Sequence, residues 1–122
     1  TLRTPGLAIK GYDAAAYITQ GLPRKGVEKY TLRHKNINWR FSSAENLVKF
    51  KANPAKYEPA YGGYCSYGVA QGYLVKIDPD AWRIVAGKLY LNYNQHVRAL
   101  WNKRHHAYIK RANAKFTSLI NK

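Results

Sequence analysis

The sequence predicts an α+β fold, with small antiparallel β-hairpins packed against short helices and a C-terminal amphipathic helical segment. Three observations predict it. Aromatic and aliphatic residues alternate with polar ones around residues 30–41 and 83–93, which is the period of half-buried strands. Asp13 and Ser42 each precede a short run suited to a capped helix. Beyond Asn94, apolar residues recur three and four apart. With 122 residues, 46% of them hydrophobic, the chain is sized for one core. Residues 1–122 are therefore expected to form a single domain, without internal repeat, low-complexity tract or domain boundary.

The elements follow in order. Pro5 and Gly6 give an irregular lead-in. In "GYDAAAYITQG", Asp13 can accept from the free amides at the start of a helix over 13–20, which Gly21 and Pro23 stop. Tyr30, Leu32 and His34 alternate, as do Ile37, Trp39 and Phe41, so Lys35 and Asn36 turn a hairpin with one aromatic face. Trp39 and Phe41 are expected to be buried against the next helix. Ser42 and Glu45 form a capping-box pair for a helix over 43–52 whose apolar stripe is Ala44, Leu47 and Val48, and "NP" ends it. Residues 54–72, dense in Gly, Pro and Tyr, predict a structured loop. There Gly62, Gly63 and Gly68 permit tight backbone turns and Tyr61, Tyr64 and Tyr67 pack around Cys65. "YLVKI" at 73–77 reads as a strand, Asp78 and Pro79 as a turn, and "RIVAGKLYLNY" as two strands joined at Ala86 and Gly87. One or two amphipathic helices close the chain.

Charge is the largest departure from average composition. Twenty-one Lys and Arg face six Asp and Glu, a net charge of +15, and no acid follows Asp80. Such a surface attracts anionic polymers (nucleic acid or anionic lipid) or an acidic protein. No apolar run approaches the roughly 18–20 residues that span a bilayer, and no leader-like segment precedes Thr1, which predicts a soluble chain without a transmembrane segment. A lone cysteine supports neither an internal disulfide nor a Cys-rich zinc module. Acids this sparse give no paired-carboxylate site, and "GGYCSYG" lacks the G-x-S-x-G pattern of a nucleophile elbow. The residues carry no signal for catalysis.

From "GYDAAAY" through "RFSSAENLVKFKANPAKYEPAYGGYCSYGVAQG" to "IDPDAWRIVAGKLYLNYN", the chain resembles the YHS-domain family, in particular its small single-domain bacterial subgroup. The resemblance implies a small binding or accessory domain and, because that subgroup is generally exported behind a cleaved signal peptide, a periplasmic or secreted protein. The wider family includes modules whose cysteines suggest metal binding. The matching positions here hold Ala16, Ser42 and Asn46, so that thiolate set is absent.

Three sets of candidate site residues emerge. Cys65, Asp13, Tyr64 and Tyr67 could bind a ligand around the Gly- and Tyr-rich stretch, the alternative being a buried Cys65 and a helix-capping Asp13. A transition metal (copper, zinc or iron) would use Cys65 with His or Asp ligands, His105 being the named His, although His105, four residues from Trp101 and Ile109, also suits a core position on a continuous helix. Arg104, Lys110, Arg111 and Lys115 could form a polyanion-binding stripe. Arg104, Arg111, Lys115 and Lys122 recur at intervals of 7, 4 and 7, with Lys103 and Lys110 alongside; the alternative is a solvated helix face.

Overall fold

The computed structural model of the chain describes residues 6–121. It is an α+β fold of two antiparallel hairpins and short helices. A 3-10 turn over Ala8–Gly11 leads into α1 (Ala14–Thr19), hairpin β1 (Val27–His34) and β2 (Ile37–Phe41), then α2 (Ala44–Ala52) and the single turn α3 (Pro54–Tyr57). A second 3-10 turn over Ala60–Gly63 leads into α4 (Ser66–Gln71), hairpin β3 (Asp78–Val85) and β4 (Lys88–Asn92), then α5 (Gln95–Lys103) and the long α6 (His105–Ile120).

The second series copies the first, so the chain is a tandem structural repeat where the sequence predicts none. Ala8–Gly11 and Ala60–Gly63 are offset by 52 residues, as are the starts of α1 and α4; the two hairpins and the helices after them are offset by 51. The correspondence extends to single hydrogen bonds. Tyr12 N–H donates to Ile9 O and Tyr64 N–H to Tyr61 O, at 2.9 and 3.0 Å, while Asp13 N–H donates to Arg24 O and Cys65 N–H to Val75 O, at 2.8 and 2.9 Å. Both hairpins shift register at the same place, between Val27 and Thr31 and between Asp78 and Trp82. Both turn on two residues with positive φ, Lys35 and Asn36 at 53° and 65°, Ala86 and Gly87 at 50° and 77°. That conformation matches strand twist and joins strands through two residues. Left-handed backbone also recurs in the two 3-10 turns, at Ile9 and Lys10 and at Tyr61 and Gly62. For β-branched Ile9, such backbone persists only where surrounding contacts hold it.

The core draws on both halves. Trp39, Phe41 and Phe50 meet Cys65, Ile77, Leu89 and Leu91 in one cluster. A second gathers Tyr61, Val69, Tyr90 and Trp101 under Ala112 of α6. Tyr17 of α1 joins the halves directly, its hydroxyl donating to Pro79 O at 2.7 Å and its ring lying edge-on to Trp82.

Several local expectations change. Ser42 does not cap α2, because Asp13 engages its amide and hydroxyl; Ser43 caps instead, accepting from Asn46 N–H at 3.1 Å, and Glu45 falls at the second helical position. The buried face of α2 is Asn46 and Phe50, while Ala44 and Val48 are exposed. Residues 54–72 are three short helical pieces rather than a loop. Residues 73–77 are irregular, since no strand among the described residues pairs with them, and β3 begins at Asp78. The turn chemistry of Asp78 survives within the bulge, where its carboxylate accepts from Asp80 N–H at 2.9 Å. The C-terminal helix is not continuous: Arg104, at φ −141° and ψ 43°, separates α5 from α6. Lys122, the far end of the expected cationic stripe, lies outside the described residues.

Trp39 is buried, with its ring 4.9 Å from Phe50 and its indole N–H donating to His34 O at 3.0 Å. Trp39→Ala is expected to cost about 3–5 kcal/mol in a denaturant titration, and a loss below about 1 kcal/mol would contradict the packing.

Candidate functional site

The two helix starts, Asp13 and Cys65, are equivalent positions filled by different chemistry. α1 is too short to hold itself together in isolation. Asp13 anchors it: Oδ1 accepts from Ala15 and Ala16 N–H at 2.9 and 3.0 Å, and Oδ2 from Ser42 N–H, Ser42 Oγ and Asn46 Nδ2 at 2.8, 2.7 and 2.8 Å. All these partners lie in the first half, and the carboxylate is fully buried. Five donors stabilise a buried carboxylate strongly. Asp13 is thus a structural anchor with no face left for a ligand.

Cys65 repeats the arrangement with a thiol. Sγ accepts from Gly68 N–H at 3.4 Å and from Tyr93 N–H at 3.2 Å, the counterparts of the Ala16 and Ser42 amides, and lies 3.6 Å from Asn92 Oδ1, to which the thiol can donate. Asn92 Oδ1 also accepts from Tyr67 N–H at 3.0 Å, the amide equivalent to that of Ala15. Burial pushes the Cys65 pKa up, against the lowering effect of these amides. The side chain is therefore a protonated cap at neutral pH, and thiolate chemistry is disfavoured.

A cleft lies over the Cys65 anchor. Where the first half places Asn46 against Asp13, the second places Val97, whose side chain makes no such bond. Where the first half has Gly21 and Ser42, the second has Tyr73 and Tyr93. Together with Tyr67 and Val75 these residues line a cleft of about 400 Å3 over Cys65. Gly68 forms part of its wall through close approach rather than positive φ: a Cβ there would meet Val75 Cγ2 at 3.1 Å and Tyr73 O at 3.3 Å. Tyr73 is 66% and Tyr93 43% exposed. None of Tyr73, Tyr93 and Val97 is marked by the sequence pattern, because they meet only once α4, α5 and the irregular stretch fold together.

The predicted site residues are thus partly separated. Tyr67 lies in the cleft with Cys65, whereas Tyr64 lines a different hollow, of about 230 Å3, beside Leu7, Ile9 and Lys76. His105 has other neighbours altogether. Its ring lies against Trp101, 5.6 Å between centroids, and Nδ1 is 3.5 Å from the Arg83 guanidinium and 3.4 Å from Asn102 O. None of these is a Cys65 partner. Among the described residues, no group of three or more His, Cys, Asp or Glu side chains is placed to hold a metal.

A further hollow, of about 490 Å3, lies between the second hairpin and α6 and includes Lys35, Glu58, Lys88 and Tyr90. Glu58 is engaged there by His34 at 2.6 Å and Lys35 at 3.2 Å. Tyr61 pins α6 to the same wall by donating to Asn113 Oδ1 at 2.9 Å.

α6 carries the remaining candidates. Ala112 is buried, Tyr108, Ile109, Phe116 and Leu119 pack beside it, and Lys110, Arg111 and Lys115 are exposed. Arg104, also exposed, sits in the helix break, so it does not continue their stripe. The Arg111 guanidinium lies over Tyr108 at 5.5 Å, and Tyr108 meets Tyr67 at 5.1 Å. Arg111, at one edge of the cationic face, is thus linked through Tyr108 to Tyr67 in the cleft wall. Arg83 and Arg98 are held by hydrogen bonds to Asn102 Oδ1 and Trp82 O.

Comparison with protein-family models, curated proteins and solved structures finds no match to this chain. The resemblance to YHS domains rests on its motifs alone.

The equivalence of the two anchors predicts a rescue. Cys65→Asp alone places a buried carboxylate near Asn92 Oδ1 and should destabilise the fold. Adding Val97→Asn supplies the amide that Asn46 gives Asp13, and the Asn92 Nδ2, which lacks a partner, can turn toward the new carboxylate. In a double-mutant cycle the pair should show a favourable coupling of about 1–3 kcal/mol. Additive losses would contradict the equivalence.

Proposed function

We propose that this chain is a small non-catalytic binding module that docks on anionic polymers through the exposed face of α6. One observation carries the reading: Lys110, Arg111 and Lys115 are exposed close together on one helix, in a segment with no acid after Asp80. Like charges gathered on one helix add to the field a polyanion meets. Binding releases condensed counterions, so affinity falls steeply with salt. The motifs shared with YHS domains support an accessory role and, through the exported subgroup, a periplasmic or secreted setting. The alternative of a metal-handling protein built on Cys65 and His105 has less support, since the two side chains have separate neighbours and Arg83 faces His105.

Replacing Lys110, Arg111 and Lys115 together by Gln should reduce heparin affinity more than replacing the dispersed Lys10, Lys25 and Lys56, and should lower the slope of log K against log salt by about 2–3. Equal losses from the two triple variants would show that only total charge matters and overturn the α6 assignment.

A further inference from the structure

Resting on the docking reading above, the arrangement of cleft and helix narrows the class of anion. A polyanion that carries only charge, such as polyphosphate, has no use for aromatic rings. Here one cation of α6 is linked to a tyrosine-lined cleft through two ring contacts. Arg111 lies over Tyr108 at 5.5 Å, Tyr108 meets Tyr67 at 5.1 Å, and Tyr67 forms one wall of the 400 Å3 cleft whose rim is Tyr73 and Tyr93. Both rim rings are largely open to solvent, Tyr73 at 66% and Tyr93 at 43%. The cleft is mostly apolar, lacks any carboxylate, and falls within the roughly 300–1,000 Å3 typical of ligand pockets.

The polymer that alternates a negative charge with a flat aromatic face is nucleic acid, and its faces are available when single-stranded. We infer that the cleft is a base-stacking site for single-stranded nucleic acid: Lys110, Arg111 and Lys115 neutralise backbone phosphates while unpaired bases stack on Tyr73 and Tyr93. Stacking tolerates any base, since every base has a π face, so recognition is of strandedness rather than sequence. The first half supplies the internal contrast. At the equivalent positions it carries Gly21 and Ser42, with no ring to offer, and Asn46, which is occupied by Asp13.

Isothermal titration with oligodeoxythymidylate and, separately, with inorganic polyphosphate tests this in the wild type, Tyr73→Ala/Tyr93→Ala and Tyr73→Phe/Tyr93→Phe. The rim is exposed, so the variants should keep the fold, which circular dichroism checks. The account predicts that the Ala pair lowers oligonucleotide affinity at least tenfold and polyphosphate affinity by less than about twofold. The Phe pair should keep both affinities, and the complementary duplex should bind more weakly than the single strand. Oligonucleotide affinity unchanged in the Ala pair, or an equal loss for both probes, would overturn the stacking site while leaving the cationic docking face standing. Failure of the wild type to bind either probe would overturn both.

Discussion

Each half of this chain is tied together by one buried acceptor at the start of a six-residue helix. In the first half the acceptor is the Asp13 carboxylate, which collects two amides of α1 and three donors from the β2–α2 junction. Without it, α1 would present unsatisfied amides to the core, and the junction would lose the contact that orients α2. Because Asp13 and Asn46 are 33 residues apart in sequence, this anchor also closes most of the first half into a loop. The hairpin, with Trp39 and Phe41 facing Phe50, then has a fixed wall to pack on.

The second half keeps the geometry of that anchor and changes its strength. A thiol is a weaker acceptor than a carboxylate, and Cys65 recovers only two of the backbone contacts directly, with Asn92 taking the third. Val97 replaces the amide that would have reached across. What is lost in polar anchoring is offset by the length of α6, which packs on α4 and covers Tyr61, Val69 and Trp101. The tyrosine cleft lies over this weaker anchor. One half thus stays closed around a charge, and its copy opens toward solvent beside the most cationic helix.

The elements governed by local chemistry were legible in the sequence. Asp13 caps α1 as its position suggests, Trp39 and Phe41 are buried by alternation, and Ala86–Gly87 turns the second hairpin. Misreadings arise where a distant partner decides. Either Ser42 or Ser43 could cap α2, and Asp13, 29 residues away from Ser42, settles the matter. Residues 73–77 have strand composition but no strand to pair with among the described residues. The duplication is hidden because it preserves backbone conformation rather than side chains: Ile9 and Lys10 share left-handed φ values with Tyr61 and Gly62, while "GY" at 11–12 and 63–64 is among the few identities left. For the site, Cys65 and Tyr67 were visible as part of a Gly- and Tyr-rich motif. Tyr73 and Tyr93 were not, since they reach the cleft from segments 20 residues apart.

If the two structurally equivalent halves differ in function, the difference lies in the tyrosine cleft over Cys65, which the closed Asp13 anchor does not offer. Backbone amide shifts followed by NMR during addition of oligodeoxythymidylate test it most directly, with the first half as the control within the same molecule. The account predicts shifts concentrated at Gly68, Tyr73, Tyr93 and Val97 and along α6 at Arg111 and Lys115, with the equivalent Ala16, Gly21, Ser42 and Asn46 unmoved. Shifts of equal size in both sets, or confined to scattered surface lysines, would contradict it.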